Sequence, residues 1–337
     1  MIKRKKAVKI DSEAYVIAHS VPYFFLRKRR THANSFSHQI VTTNKFVSVN
    51  STSSSVSTML SNTFRLRPSI VLFGDSITEQ AFGVDGNVGW ASLLAAAYSR
   101  RADVLNRGFS GYNTSHAVEL LPRVFTGPLD SPPLFATVFF GANDAALPGE
   151  PQHVPPDDYE RNIETIVAHL RRSLLPVRAG EHRTPKNPIG SESTATANVS
   201  SPAVPIVILV TPPPVLESAW ADFLQTRADT TGETRGSDRD NTTTRLYGER
   251  LQRVGIKLSC PVLDCWNLLG GDSEDRGRYL SDGLHLNPAG NRAVFQGLMN
   301  LLAREHPEVL PMQDGDGKCG TEGIPVEEAL WKELCSG

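Results

Sequence analysis

From Ile70 onward the chain alternates short apolar runs with longer segments whose apolar positions recur every three or four residues. A run of four to six apolar residues bounded by Gly, Pro, Asp or Asn reads as a buried strand, and the longer recurrence reads as amphipathic helix. The pattern predicts strands at 70–73, 103–106, 135–140, 206–211 and 261–264, and helices at 89–100, 115–124, 157–175, 243–258 and 288–305. Strictly alternating strands and helices are the mark of βαβ units. The expected fold class is therefore α/β, a three-layer α/β/α domain on a five-stranded parallel sheet over about residues 68–311.

Two stretches interrupt the alternation. Residues 178–202 are rich in Pro, Ser, Thr and Asn, and residues 227–241 are rich in Thr, Asp and Arg. Neither holds enough apolar surface to offset its ordering entropy, so both are expected to be surface insertions, the second near the site entrance. Residues 312–337 read as an extension with a short helix over 326–334.

Charge changes the picture at the amino end. Residues 1–67 carry twelve Lys or Arg against Asp11 and Glu13, a balance of +10, while the remainder carries 23 basic and 34 acidic residues, a balance of −11. A basic, Ser- and Thr-rich segment resembles an organelle transit peptide, which would imply a mitochondrial location; a disordered or untranslated tail, with a start at Met59 and a cytoplasmic protein, is the other reading. The acidic body gives no expectation of nucleic-acid binding. The run at 14–26 is broken by His19, Ser20 and Pro22, so no membrane span is expected. The four cysteines, Cys260, Cys265, Cys319 and Cys335, lack zinc-site spacing and are read as reduced thiols. Asn-X-Ser/Thr triplets occur at Asn50, Asn113, Asn198 and Asn241, and a glycan at Asn113 would sit beside the candidate site, which counts against secretion.

Chemistry gathers at four successive strand ends. They are Gly74-Asp75-Ser76, Asn106 to Gly111, Gly141-Ala142-Asn143-Asp144, and Ser281-Asp282-Gly283-Leu284-His285. Ester hydrolysis through a serine needs a base, a group that orients it, and donors for the oxyanion. Ser76 on a strand-to-helix turn can supply the hydroxyl, His285 the base, and Asp282 the orienting carboxylate. The N–H groups of Ser76 and Gly111 and the Asn143 amide can supply neutral donors. Taken singly, each is as readily a turn or a cap. Gly108-Phe-Ser-Gly-Tyr112 lacks the final glycine of a nucleophile elbow, which makes Ser110 a poor alternative. No metal site and no cofactor are expected, since no cluster of His and carboxylate ligands is visible.

Together these blocks resemble the SGNH, or GDSL, hydrolase superfamily. Phe73-Gly-Asp-Ser-Ile-Thr78, Val104 to Asn113, Phe139 to Asp144, Thr211-Pro-Pro-Pro214 and Leu280 to Leu286 are similar to its isoamyl acetate-hydrolysing esterase branch. The resemblance implies a flavodoxin-like sheet and hydrolysis of short-chain esters through an acyl-enzyme. It assigns Ser76 as nucleophile, Asp282 and His285 as orienter and base, and Gly111 and Asn143 as oxyanion donors. His116 stands where that branch leads one to expect a tryptophan, so His116, with Tyr112, is a candidate substrate contact. A carbohydrate deacetylase, a lysophospholipase and a non-catalytic ligand-binding module are the alternatives. The expected partner is a small-molecule ester, and the oligomeric state stays open.

Overall fold

The computed structural model describes residues 67–126, 133–175, 204–228 and 236–311. The predicted tail, the 178–202 insertion and the extension after 311 lie outside the described residues.

Strand β1 (Ser69–Gly74) shows why the sheet must be covered on both sides. Ile70 and Leu72 enter one core, Val71 and Phe73 enter the other, and all four are shielded from solvent. Successive strand residues face opposite ways, so a strand that is apolar at every position needs helices on both faces. Strands β2 (Asp103–Gly108), β3 (Phe135–Phe139), β4 (Val207–Val210) and β5 (Val262–Leu263) join it in the order β2-β1-β3-β4-β5, and every pairing is parallel. This is the expected α/β/α architecture. Strand β5 is shorter than predicted because Asp264 caps the next helix, its carboxylate accepting from the Asn267 N–H at 3.1 Å.

One core takes Trp90 and Leu94 from α2 (Trp90–Ala97) and Val294, Leu298 and Leu302 from α8 (Pro288–Glu305). The opposite core takes Leu121 from α3 (Thr114–Val124), Ile163 and Leu170 from α4 (Pro156–Ser173), and Tyr247 and Leu251 from α6 (Asn241–Leu258). A helix at Glu217–Ala228, α5, was not predicted, and its buried residues are Trp220 and Ala228. Short helices α1 (Ser76–Glu79) and α7 (Cys265–Leu268) follow β1 and β5.

The stretch expected to be a surface insertion over 227–241 is described only at its two ends, and the second of them turns inward. Arg227 and Ala228 belong to α5, and Arg239 is only 2% exposed. Residue 239 can be inside because each of its three guanidinium nitrogens has an acceptor, Asp238 among them, as buried charges need.

Strand order places the site. β1 lies between β2 and β3, so the chain leaves its carboxyl end with neighbours running off in both directions, where open parallel sheets form a ligand crevice. Gly74 closes β1 so tightly that a Cβ there would stand 2.1 Å from Thr78 Oγ1 and 2.5 Å from the Phe139 carbonyl oxygen.

Candidate active site

Ser76 opens α1 directly after β1. Asp75 holds the turn, its Oδ1 accepting from the Ile77 N–H at 3.0 Å. The Ser76 Oγ then lies 2.9 Å from Nε2 of His285. On the far side of the ring, His285 Nδ1 is 2.7 Å from Asp282 Oδ2. A carboxylate has no proton to give, so Nδ1 carries the hydrogen and the Nε2 lone pair is left to accept from the serine hydroxyl. Asp282 Oδ1 accepts from the N–H groups of His285 at 2.8 Å and Leu284 at 3.0 Å, which locks the turn. Burial acts to raise the Asp282 carboxyl, but the His285 hydrogen bond and charge and these backbone N–H groups outweigh it and hold it below the usual carboxylate value.

Three residues with neutral donors, Ser76, Gly111 and Asn143, line the same cleft. The Ser76 N–H, in the first turn of α1, has no acceptor within its helix. Around Gly111, the Ser110 N–H donates to Glu79 Oε2 at 2.7 Å and the Tyr112 N–H to the Phe109 carbonyl at 3.2 Å. The Gly111 N–H between them belongs to a residue with φ of +78°, a conformation that favours glycine. Asn143 donates one Nδ2 hydrogen to the Tyr112 carbonyl at 2.9 Å and keeps the other. Ser76, Gly111, Asn143, Asp282 and His285 all line one cleft of about 730 Å³.

Sequence reasoning missed the residue that holds Asn143. Arg239 Nη2 donates to Asn143 Oδ1 at 2.9 Å and to Gln152 Oε1 at 2.6 Å, and its Nε donates to the Ala142 carbonyl at 2.9 Å. Its guanidinium also lies over the Trp220 ring, 5.2 Å from the centroid, and Trp220 meets His285 edge-on at 6.0 Å. In sequence Arg239 is one of three arginines in the polar stretch 227–241, and nothing there sets it apart from a solvated residue.

Tyr112 and His116 stand apart from the other candidates. They line a neighbouring depression of about 350 Å³, with Glu119 and Arg123 beyond them, which meets the main cleft only along Ser110 and Gly111. His116 Nδ1 accepts from the Asn113 N–H at 3.3 Å while Asn113 Oδ1 accepts from the His116 N–H at 3.0 Å, a reciprocal cap on α3.

Two carboxyls behind the site are fully buried. Desolvation chiefly pushes Asp75 up to about 7, although the Ile77 N–H and the His285 charge oppose it. Desolvation likewise pushes Asp144 up to about 6, against hydrogen bonds from the Thr114 hydroxyl and N–H. Among the described residues, no group of three or more His, Cys, Asp or Glu is placed to hold a metal ion, and no helix is long and apolar enough to cross a membrane.

A hydroxyl set against an imidazole is equipment for acyl transfer, and the family and relatives that this chain matches make it a carboxylic ester hydrolase of the three-layer α/β/α class. Residues 72–293 match the GDSL-like Lipase/Acylhydrolase family, and the chain belongs to that family. It is 38% identical over 243 residues to the isoamyl acetate-hydrolyzing esterase 1 homolog of Mus musculus, covering 71% of this chain and 83% of that protein. It is 36% identical over 253 residues to a GDSL esterase/lipase of Arabidopsis thaliana, covering 73% of this chain and 90% of that one. Among solved structures, the lipase/acylhydrolase from Enterococcus faecalis is similar at a TM-score of 0.47 and 20% identity, covering 74% of this chain and 100% of that one.

Proposed function

We propose that this chain hydrolyses acetate-type carboxylic esters through an acyl-enzyme formed on Ser76. The observation that carries the reading is the line of two contacts, 2.9 Å from Ser76 Oγ to His285 Nε2 and 2.7 Å from His285 Nδ1 to Asp282. His285 takes the hydroxyl proton as Ser76 Oγ attacks the ester carbonyl. The N–H groups of Ser76 and Gly111 and the Asn143 amide receive the oxyanion, and Asp282 steadies the imidazolium. His285 then protonates the departing alcohol, the ester C–O bond breaks, and the acyl group remains on Ser76. Water, deprotonated by the same imidazole, attacks the acyl carbonyl; the bond from the acyl carbon to Ser76 Oγ then breaks, His285 returns the proton to that oxygen, and the acid leaves.

The acetate preference leans on relatives named for isoamyl acetate hydrolysis. A second reading is favoured by the cleft itself. Its volume of about 730 Å³ far exceeds an acetyl group, and its walls mix Asn87 and Ser281 with Val84, Phe223 and Leu286. That room takes an acetyl ester of a bulky alcohol, of which an acetylated sugar is one.

A panel of p-nitrophenyl acetate, butyrate and octanoate with an acetylated sugar tests both. The acetate should lead the p-nitrophenyl series in kcat/KM. An octanoate preference would overturn the short-acyl reading, and a higher kcat/KM on the acetylated sugar would select the second. Trapping a Ser76-linked acetyl group by mass spectrometry after rapid acid quench tests the intermediate.

A further inference from the structure

Arg239 is a buried cation in a family reaction that uses neutral donors, and its contacts have a common target. We propose that Arg239 is the positioning residue of the oxyanion hole, fixing the Asn143 amide with its N–H₂ end toward the substrate and anchoring the Gly111 turn through Gln152. The proposal rests on the serine-esterase reading of the cleft.

The two ends of a carboxamide are nearly the same shape, so something must dictate which end faces the oxyanion. With the oxygen turned inward, Asn143 would repel the developing negative charge. Arg239 prevents this because Nη2 is a donor without acceptor capacity, and it stands 2.9 Å from Asn143 Oδ1. On the other side, the Tyr112 carbonyl can only accept, and it lies 2.9 Å from Nδ2. A flip would face donor with donor and acceptor with acceptor at once. A cation on Oδ1 also polarises the amide, strengthening the remaining N–H as a donor in a site of low dielectric.

The second arm runs through Gln152. Its Oε1 accepts from Arg239 Nη2 at 2.6 Å, and its Nε2 donates to the Gly111 carbonyl at 2.8 Å. This is the same guanidinium edge, so one rigid plane sets both Asn143 and Gly111. The other side of the fork fixes the plane: Nη1 donates to Asp238 Oδ1 at 2.6 Å, and the same oxygen accepts from Trp220 Nε1 at 2.7 Å. Lysine, a point charge with no fork, cannot reproduce that set.

The test measures kcat and KM for p-nitrophenyl acetate in Arg239→Lys, Arg239→Gln, Asn143→Ala and the Asn143→Ala/Arg239→Lys double variant, each checked for a cooperative thermal transition. Arg239→Lys and Arg239→Gln should lower kcat about 10- to 100-fold with KM within about three-fold, a range up to that of a lost oxyanion donor. The double variant should lose clearly less than the product of the two single losses, falling no more than about three- to ten-fold below the Asn143→Ala rate, because one arm of Arg239 acts through an amide already removed and only the Gln152 arm remains. A purely structural arginine would instead give multiplying losses that follow the melting temperature, and that outcome overturns the proposal. So would a folded Arg239→Lys or Arg239→Gln protein with wild-type kcat. If neither arginine variant folds, Gln152→Ala decides: about a three- to ten-fold fall in kcat supports the anchoring of Gly111, and unchanged kcat overturns it. Ser76→Ala, run in parallel, separates the two levels. Wild-type turnover there removes the serine-esterase reading and this one with it, whereas its inactivity beside undiminished Arg239 variants removes this one alone.

Discussion

At the scale of single residues, the site is an exercise in assigning protons. Asp282 decides the tautomer of His285, and that tautomer decides whether Ser76 meets a lone pair or an N–H. Asp282→Asn should therefore do more than remove a charge. An asparagine can turn its N–H₂ toward Nδ1 and stabilise the ring with hydrogen on Nε2, which points a donor at the serine. We expect kcat to fall by roughly 10³–10⁴ with the fold retained, measured as p-nitrophenyl acetate turnover beside a thermal melt. Ser76→Ala should lose on the order of 10⁴ or more, with little change in melting temperature, because among the described residues the hydroxyl's hydrogen bond is to His285 alone. Wild-type turnover in Ser76→Ala would end the acyl-enzyme reading.

At the scale of elements, the question is why these residues meet. β1 ends on Gly74 because its neighbours leave no room for a side chain, and that closeness lets α1 start where the Ser76 hydroxyl faces His285. Gly74→Ala should cost about 3 kcal/mol by overpacking against Thr78 and the Phe139 carbonyl. In a domain of this size that lowers the melting temperature by roughly 6–12 °C. Gly236→Ala is the control, with nothing within 4 Å of the added Cβ, and should shift stability by less than about 0.5 kcal/mol. The same contrast explains what could be read in advance. Five strands and five long helices were legible because their apolar positions repeat, and α8 at Pro288–Glu305 matches its predicted bounds. Ser76 was legible because it follows a strand directly, and Asp282 and His285 because of their Asp-x-x-His spacing, although α7 and a 3-10 turn separate that pair from β5. Helix α5 was not, since its apolar residues are not gathered on one face; Trp220 and Ala228 are buried, while Phe223 and Leu224 pack only partly against the core. Arg239 was not either: its partners Asn143 and Gln152 are about ninety residues away, and a fully paired buried arginine looks, in sequence, like any exposed one.

At the scale of the whole molecule, the active-site end carries a pH-dependent stability cost. Asp75 and Asp144 are fully buried, each has one carboxyl oxygen without a partner among the described residues, and their values rise to about 7 and about 6. For a raised carboxyl, the unfolded chain gives up its proton near 3.8 while the folded chain holds it, so the folded state binds more protons between those values. Stability then falls as pH climbs from about 4 to about 7, and the loss is complete above that. Asp282 has the opposite sign: its lowered value adds stability that is present above the ordinary carboxylate value and is lost as pH falls through the folded one. The sum of such terms hides each of them, so Asp75→Asn is the informative comparison. The asparagine oxygen can still accept from the Ile77 N–H, and the residue cannot ionise. The rise from 3.8 to about 7 is worth on the order of 4 kcal/mol as an upper bound. Asp75→Asn should therefore melt within a few degrees of wild type near pH 4 and progressively above it as pH approaches 8. Melting curves collected across that range read the difference directly, and a constant offset between the two proteins would mean that Asp75 is already ionised in the folded state at pH 4.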